Sequence, residues 1–193
     1  MATFAAALAT FPSAPDQVPI HWTRGVADGF APKAVGLFLI PALAVILYGL
    51  AHLPSNGHEP IWAAIRLSTA AFHAALASVI LAAAWGYPAP TYIVGVLVGG
   101  VLLTAGWLAP QVSQGWVVGV RTPWTLRSDA VWRRTHAMAR PVFLLGGLIV
   151  IGAAIAAPAA VGRIIGAVLL TSAAVLTAAS YAHSVQERRK HRT

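Results

Sequence analysis

Residues 119–140 read GVRTPWTLRSDAVWRRTHAMAR and lie between two long apolar runs, Thr91–Ala109 and Pro141–Ala157. This short stretch holds five of the 13 lysine and arginine residues of the chain, together with Trp124, Trp132 and a histidine. A polar and aromatic stretch between two apolar runs is where a membrane protein would keep a specific surface. We call residues 119–140 the signature segment.

The composition indicates a membrane protein. The 193 residues are 58% hydrophobic and only 9% charged, with a mean hydropathy of +0.73, whereas a soluble domain carries about 25% charged residues. Backbone that crosses a bilayer must satisfy its hydrogen bonds within helices or a closed barrel, and barrel strands are short segments of alternating polarity. The apolar runs here are long and continuous, so they predict an all-α, polytopic helical membrane protein.

Five apolar runs approach or exceed the length that a membrane-spanning helix needs, about 20 residues. They are Ala34–Leu53, Ile61–Trp85, Thr91–Ala109, Pro141–Ala157 and Ile164–Tyr181. The apolar run Met1–Phe11 is about half that length and predicts a partial or tilted helix, or the end of a span that starts earlier. Residues 12–33 are predicted to form a loop, because they are rich in Pro, Gly and Asp.

Basic residues predict the orientation of the spans, because cytoplasmic loops carry an excess of lysine and arginine. If the basic tail, residues 186–193, is cytoplasmic, ten of the 13 basic residues lie on that side, and Arg24, Lys33 and Arg163 lie outside. The ten are Arg66, Arg121, Arg127, Arg133, Arg134, Arg140, Arg188, Arg189, Lys190 and Arg192. The net charge of +8 is then explained by contact with anionic membrane lipids, and we expect no direct binding of nucleic acid.

The signature segment is predicted to begin as a loop and to continue as a helix. Pro123 disfavours helical geometry in the residue before it, and Ser128 is a suitable N-cap for a helix over 129–140. That helix would carry Trp132 and His136 on a mostly apolar face, with arginines on the opposite face. We therefore predict an interfacial amphipathic helix after the RTPWTL loop.

Two roles for the signature segment remain open from the sequence. In the first it only anchors the loop on the membrane, with its tryptophans at headgroup level. In the second it forms a recognition surface or lines an inner vestibule, since irregular backbone at membrane depth must be buried in protein or line a cavity. The residues of this second role are Arg121, Thr122, Pro123, Trp124, Thr125, Trp132, Thr135 and His136.

Two motifs resemble a known family. Gly-Val-Arg-Thr-Pro-Trp-Thr-Leu, followed after a spacer by Val-Trp-Arg-Arg-Thr-His, resembles the signature of the SdpI-type immunity proteins, bacterial membrane proteins that protect cells from a secreted killing peptide. The stretch VPIHW at 18–22, with Gly25, DGF at 28–30 and Lys33, is similar to the short N-terminal domain of the same family. The resemblance divides the chain at residue 60, with an SdpI-like membrane domain over 61–193.

The resemblance implies a resistance protein of the bacterial inner membrane, acting against a membrane-active toxin peptide. It also implies a signalling role, in which the cytoplasmic face sequesters a repressor protein, and an outer loop that meets the toxin or an envelope ligand. The outer-loop residues are Pro19, His21, Gly25, Asp28, Gly29 and Lys33. An alternative from the residues themselves is a small transporter or lipid-linked membrane enzyme, in which Arg121 and His136 bind an anionic group.

The chain offers little catalytic chemistry. It has five acidic residues and no cysteine, and it shows no paired carboxylates and no serine-base arrangement, so we predict neither an enzyme nor a cofactor. His21 and Asp28 lack a second histidine in their loop, and we expect packing rather than a metal site. Within the second span, Arg66 lies near enough to the membrane surface to snorkel, whereas His73 lies mid-span, where ionisable groups are costly. We expect His73 to link helices or to line an internal pathway.

Overall fold

The computed structural model describes residues 2–23, 26–50, 52, 59–87, 91–115 and 118–190. The described residues form six α-helices and one β-hairpin: α1 (Ala2–Thr10), β1 (Gln17–Thr23), β2 (Val26–Pro32), α2 (Lys33–Leu50), α3 (Glu59–Ala84), α4 (Thr91–Leu108), α5 (Asp129–Ala156) and α6 (Val161–Lys190). Short 3₁₀ turns follow α4 and precede α6. Helices α2 to α6 are long and apolar enough to cross a membrane, which confirms the predicted helical membrane fold with five spans.

The predicted loop at residues 12–33 is wrong in part, because β1 and β2 pair as an antiparallel hairpin within it. The pairing is irregular around His21. The sequence did not predict the two strands because both contain proline or glycine, which usually mark loops. Val18 of β1 is fully buried and packs onto α2 at Gly36, where a Cβ atom would overlap the Val18 side chain. The hairpin is therefore seated on the first residues of α2.

The predicted separate interfacial helix is also wrong. Helix α5 starts at Asp129, with the Ser128 side chain accepting a hydrogen bond from the Val131 N–H, as expected. It then continues through Pro141 to Ala156 without a break. Proline is tolerated inside membrane helices because neighbouring groups satisfy the freed backbone. The apolar face of its first turns is covered by protein rather than by the leaflet, since Trp132 and His136 are both 1% exposed.

Helices α4 and α5 pack through glycine. A Cβ atom at Gly99 would lie 2.9 Å from the Gly147 carbonyl oxygen, and one at Gly147 would lie 2.8 Å from the Gly99 carbonyl oxygen. Gly95 and Gly106 make similarly close approaches to α5. Small residues allow this contact between membrane helices. Gly100, the residue after Gly99, instead faces open space.

The helices alternate in direction, and the two ends of the bundle differ. The signature segment and the C-terminal part of α6 meet at one end, where Arg134 and Glu187 form an ion pair at 3.2 Å. The hairpin lies at the other end, with Val18 and Ala14 in a core that includes Leu81 of α3. Helix α1, nine residues long, packs beside the hairpin, with Phe4 near Phe38. We call these the signature end and the hairpin end.

Candidate functional site

Three buried hydroxyl groups close the RTPWTL loop onto α6. The Thr122 N–H donates to the Thr125 Oγ1 at 2.8 Å, and the Thr125 Oγ1 is also within 2.8 Å of the Val120 carbonyl oxygen. The Thr122 hydroxyl is 3.1 Å from the Ser180 hydroxyl on α6. Thr125 and Ser180 have no solvent exposure and Thr122 has 8%. Buried polar groups are costly unless they are bonded, so this network favours one loop conformation.

His136 holds the start of the same loop. The Val120 N–H donates to the His136 Nε2 at 3.0 Å, and the His136 Nδ1 lies 2.9 Å from the Trp132 carbonyl oxygen. Because a carbonyl oxygen only accepts, the Nδ1 carries the proton and the ring is neutral. The Trp132 ring stacks on the His136 ring at 4.0 Å, and its Nε1 donates to the Val112 carbonyl oxygen at 2.8 Å. The histidine and tryptophan thus tie two parts of the loop to α5.

Gly119 is required by this arrangement. Its φ angle of +122° is a conformation that residues with a side chain rarely adopt. A Cβ atom there would lie 2.5 Å from the His136 Nε2 and 2.7 Å from the Trp132 ring. The glycine at the head of the signature segment therefore permits both the turn and the close approach to the ring pair.

The remaining side chains of the loop face outward. Arg121 and Pro123 are exposed, and half-buried Trp124 packs edge-on against Tyr181 with ring centres 5.2 Å apart. Arg133 pairs with Asp129 one turn earlier on the exposed side of α5. Two groups of signature residues result: Arg121, Pro123 and Trp124 outside, and Thr122, Thr125, Trp132, Thr135 and His136 inside.

Sequence reasoning missed three contributors to this site. Gly119 stands at the head of the motif, but the motif alone assigns it no role. Gln114 donates from its Nε2 to the Thr125 carbonyl oxygen at 2.6 Å, and Ser180 bonds to Thr122. Ser180 lies within a series of small polar residues in the last span, which was the available signal. Only the packing of α6 against the loop indicates which of them is used.

The outer-loop residues lie at the opposite end, on the hairpin and the start of α2. The His21 Nδ1 is 2.6 Å from the Asp28 Oδ1, and Gly29 lies beneath the His21 side chain. Lys33 pairs with Asp16 at 3.2 Å, and Pro19 is half-buried. Gly25 lies outside the described residues. The described part of the chain contains no cluster of three metal-ligating side chains.

The intramembrane polar residues bond within their own helix. The His73 Nδ1 is 2.7 Å from the Thr69 carbonyl oxygen, and the Ser78 hydroxyl is 2.8 Å from the Ala74 carbonyl oxygen. Among the described residues, neither side chain bonds to another helix, so the expected link between helices is not formed by them. Arg66 is half-buried near the start of α3. His73 instead lines a cavity.

That cavity, of about 1000 Å³, lies between α3 and α4 towards the signature end. Its walls are mainly apolar, with His73, Thr69 and Thr104 among the few polar groups. Gly119, Val120 and His136 line the end of the cavity nearest the signature segment. The cavity and the signature segment are therefore adjacent, and they share the ring of His136.

Two stretches of the chain match known protein families. Residues 111–182 match the SdpI/YfhL protein family, and residues 1–45 match a domain of unknown function, DUF1648. The chain is 26% identical over 152 residues to the Immunity protein SdpI of Bacillus subtilis (strain 168), in an alignment that covers 70% of this chain and 68% of that protein. No solved structure matches the chain.

The match over residues 111–182 includes the whole signature segment and most of α5 and α6. The similarity therefore covers the segment whose hydrogen bonds and packing are described above. The predicted resemblance is thereby confirmed: this membrane protein with five candidate spans is similar to the SdpI/YfhL protein family over residues 111–182 and to the Immunity protein SdpI.

Proposed function

We propose that this protein confers resistance to a membrane-active toxin peptide in the bacterial inner membrane, by binding the peptide rather than by chemically changing it. The observation that carries the proposal is the closed RTPWTL loop. Its inner hydroxyl groups bond to one another and to Ser180, so they are engaged in structure. A loop held in this way presents Arg121 and Trp124 in a fixed arrangement, which suits recognition because a preformed surface loses less entropy on binding.

The distribution of charge supports a cytoplasmic signature end. Arg188, Arg189 and Lys190 occupy the last turn of α6, and this end also carries the signature arginines. Under the positive-inside rule it faces the cytoplasm and the hairpin faces outward. A cytoplasmic repressor would then meet the basic surface formed by the signature segment and the tail, while lipids surround the spans.

The alternative function, a small transporter or lipid-linked enzyme, has one observation in its favour. A cleft of about 260 Å³ lies between α5 and α6, with Arg121, Thr122 and Ser172 among its lining residues. An arginine beside hydroxyl groups suits an anionic headgroup. The Thr122 hydroxyl group, however, already bonds to Thr125 and Ser180.

Survival of a sensitive bacterial strain tests the proposal. Cells expressing the protein are challenged with a panel of membrane-active peptides, and we expect protection that is lost in Arg121→Ala and Trp124→Ala. Arg127→Ala is the matched control, because Arg127 is an exposed arginine of the same loop. No protection by well-expressed wild type against any peptide would refute the function, and retention of bound anionic lipid only by variants with Arg121 would favour the alternative.

A further inference from the structure

The cavity between α3 and α4 has the properties of a ligand site within the membrane. It is bounded by Val101 and Thr104 on α4, by His73 on α3, and by Gly119 at the signature end. Helix α4 packs closely against α5 and only sparsely against α3. Because few polar groups line it, an opening of this size at membrane depth suits an apolar occupant.

His73 indicates which kind of occupant fits. Its Nδ1 donates to the Thr69 carbonyl oxygen, so the Nε2 of the neutral ring is a hydrogen-bond acceptor. No residue that the structure describes donates to that Nε2. The acyl chains of a phospholipid carry no donor, whereas a hydrophobic helix with one serine, threonine or tryptophan does. An acceptor in an apolar wall therefore favours a peptide.

The size of the cavity agrees with such a helix. A helix of about 10 Å diameter and roughly nine residues encloses about 1000 Å³, and the cavity has about that volume. On α4 the lining residues run from Val96 to Leu108, about 18 Å of helix rise, so the cavity is long enough for a segment of nine residues, about 14 Å.

We propose that this cavity binds an apolar helical segment of a membrane-inserted peptide, with His73 accepting a hydrogen bond from a side chain of that segment. The proposal rests on the proposed function and names the surface that would take the toxin. The bound segment would contact Gly119 and Val120, whose backbone is held by His136. A segment bound in the cavity would therefore contact the backbone at the start of the RTPWTL loop directly.

Gly100 provides the decisive variant. It lines the cavity, and a Cβ atom added to it would have no neighbouring atom within 4 Å, as is also true of Gly152 on α5. Gly100→Phe directs a ring towards the cavity from a Cβ position that contacts no neighbouring atom. Gly152→Phe adds the same ring elsewhere and is the matched control.

The experiment uses the full chain in vesicles of phosphatidylcholine and phosphatidylglycerol. Since the chain has no cysteine, Ser113→Cys accepts one fluorophore, and the probe is a labelled 20-residue Leu/Ala helix with a central serine. We expect saturable energy transfer for wild type and Gly152→Phe, and an affinity lowered at least about tenfold by Gly100→Phe. Replacing the serine of the probe by alanine should weaken binding about three- to tenfold in wild type and leave His73→Phe unaffected.

Equal binding of the probe to wild type and Gly100→Phe overturns the proposal. Two further results would do the same and identify another occupant. Phospholipid retained by wild type and lost from Gly100→Phe, without peptide binding, would make the cavity a lipid site. Energy transfer between two protein copies that Gly100→Phe abolishes would make it a dimer interface.

Cell survival separates this inference from the proposed function. If the wild-type protein binds the probe but protects no cells, the proposed immunity function is refuted, whereas the proposed peptide site stands. If Gly100→Phe no longer binds the probe but still protects cells, the cavity takes no part in immunity. The proposed function itself would then stand. Loss of both properties in Gly100→Phe, with both retained in Gly152→Phe, is the expected result.

Discussion

Helix α4 meets its two neighbours, α5 and α3, in opposite ways. Towards α5 it presents Gly99, and the backbones of the two helices approach so closely that a single added carbon would meet a carbonyl oxygen. Towards α3 it presents Gly100, one residue later, across an open cavity. Adjacent glycines in one apolar run therefore serve packing on one side and leave space on the other. The packed side also carries the buried hydrogen bonds of the signature segment.

The largest expected effect comes from Gly99→Ala. The new methyl group would lie 2.5 Å from the Ile151 side chain and 2.9 Å from the Gly147 carbonyl oxygen, and overpacking of this kind costs about 1–3 kcal/mol. Gly100→Ala is the matched control, and it should be neutral or stabilising by up to about 1 kcal/mol, because alanine favours a helix over glycine. Thermal unfolding in detergent measures both; equal stabilities for the two variants would contradict the contrast.

Gly119→Ala is expected to have the next largest effect. It would force a side chain into a positive-φ conformation, which costs roughly 1–2 kcal/mol, and would push against the His136 and Trp132 rings. Gly115→Ala is the control, because its nearest neighbouring atom is at 3.8 Å. Unfolding temperature and Trp fluorescence report the change. A Gly119→Ala variant as stable as Gly115→Ala would show that the loop is not held against α5.

Thr125→Val tests how much one buried hydroxyl group contributes to the stability of the packed side. Removing the Oγ1 leaves the buried Thr122 N–H without its acceptor at 2.8 Å, and an unsatisfied buried donor costs about 1–3 kcal/mol. Thr125→Ser keeps the hydroxyl and should lose less. Denaturation in detergent measures the difference. Equal losses for valine and serine would mean that side-chain volume, rather than the hydrogen bond, stabilises the loop.

The smallest effect is expected on the cavity side. The Thr104 hydroxyl bonds to the Gly100 carbonyl oxygen on its own helix, at 2.9 Å. Thr104→Val should therefore change the free energy of unfolding by less than about 0.5 kcal/mol. The same assay applies, with Thr125→Val as the reference. A loss as large as that of Thr125→Val would indicate that the cavity wall is as tightly constrained as the packed side.

Local chemistry made several features predictable. Apolar length identified the five spans, and the Ser128–Asp129 pair marked the start of α5. The predicted end of that helix at Arg140 was wrong, because a proline commonly marks a boundary, whereas Pro141 lies inside a continuous helix. The β-hairpin was missed because its strands contain proline and glycine, which usually mark turns.

Residue type and motif predicted which residues of the signature segment matter. The spacing of these residues did not predict which of them are buried and which are exposed. Thr122 and Arg121 are neighbours in sequence, yet one is buried against Ser180 and the other is exposed. Positions 122 and 180 are 58 residues apart, and no periodic pattern relates them. The side on which a loop residue is buried depends on the helix that covers it.

The sequence by itself determined the class of this protein, the number and order of its spans, the asymmetry of its charge and its resemblance to an immunity family. These properties follow from composition, length and local motifs, each of which acts within a few turns of chain. Only the tertiary structure decided that His136 is a loop-holding acceptor, that Gly99 packs while Gly100 faces a cavity, and that this cavity reaches the signature segment. Those properties depend on how one helix face is rotated against the next, and side-chain fit across distant parts of the chain sets that rotation.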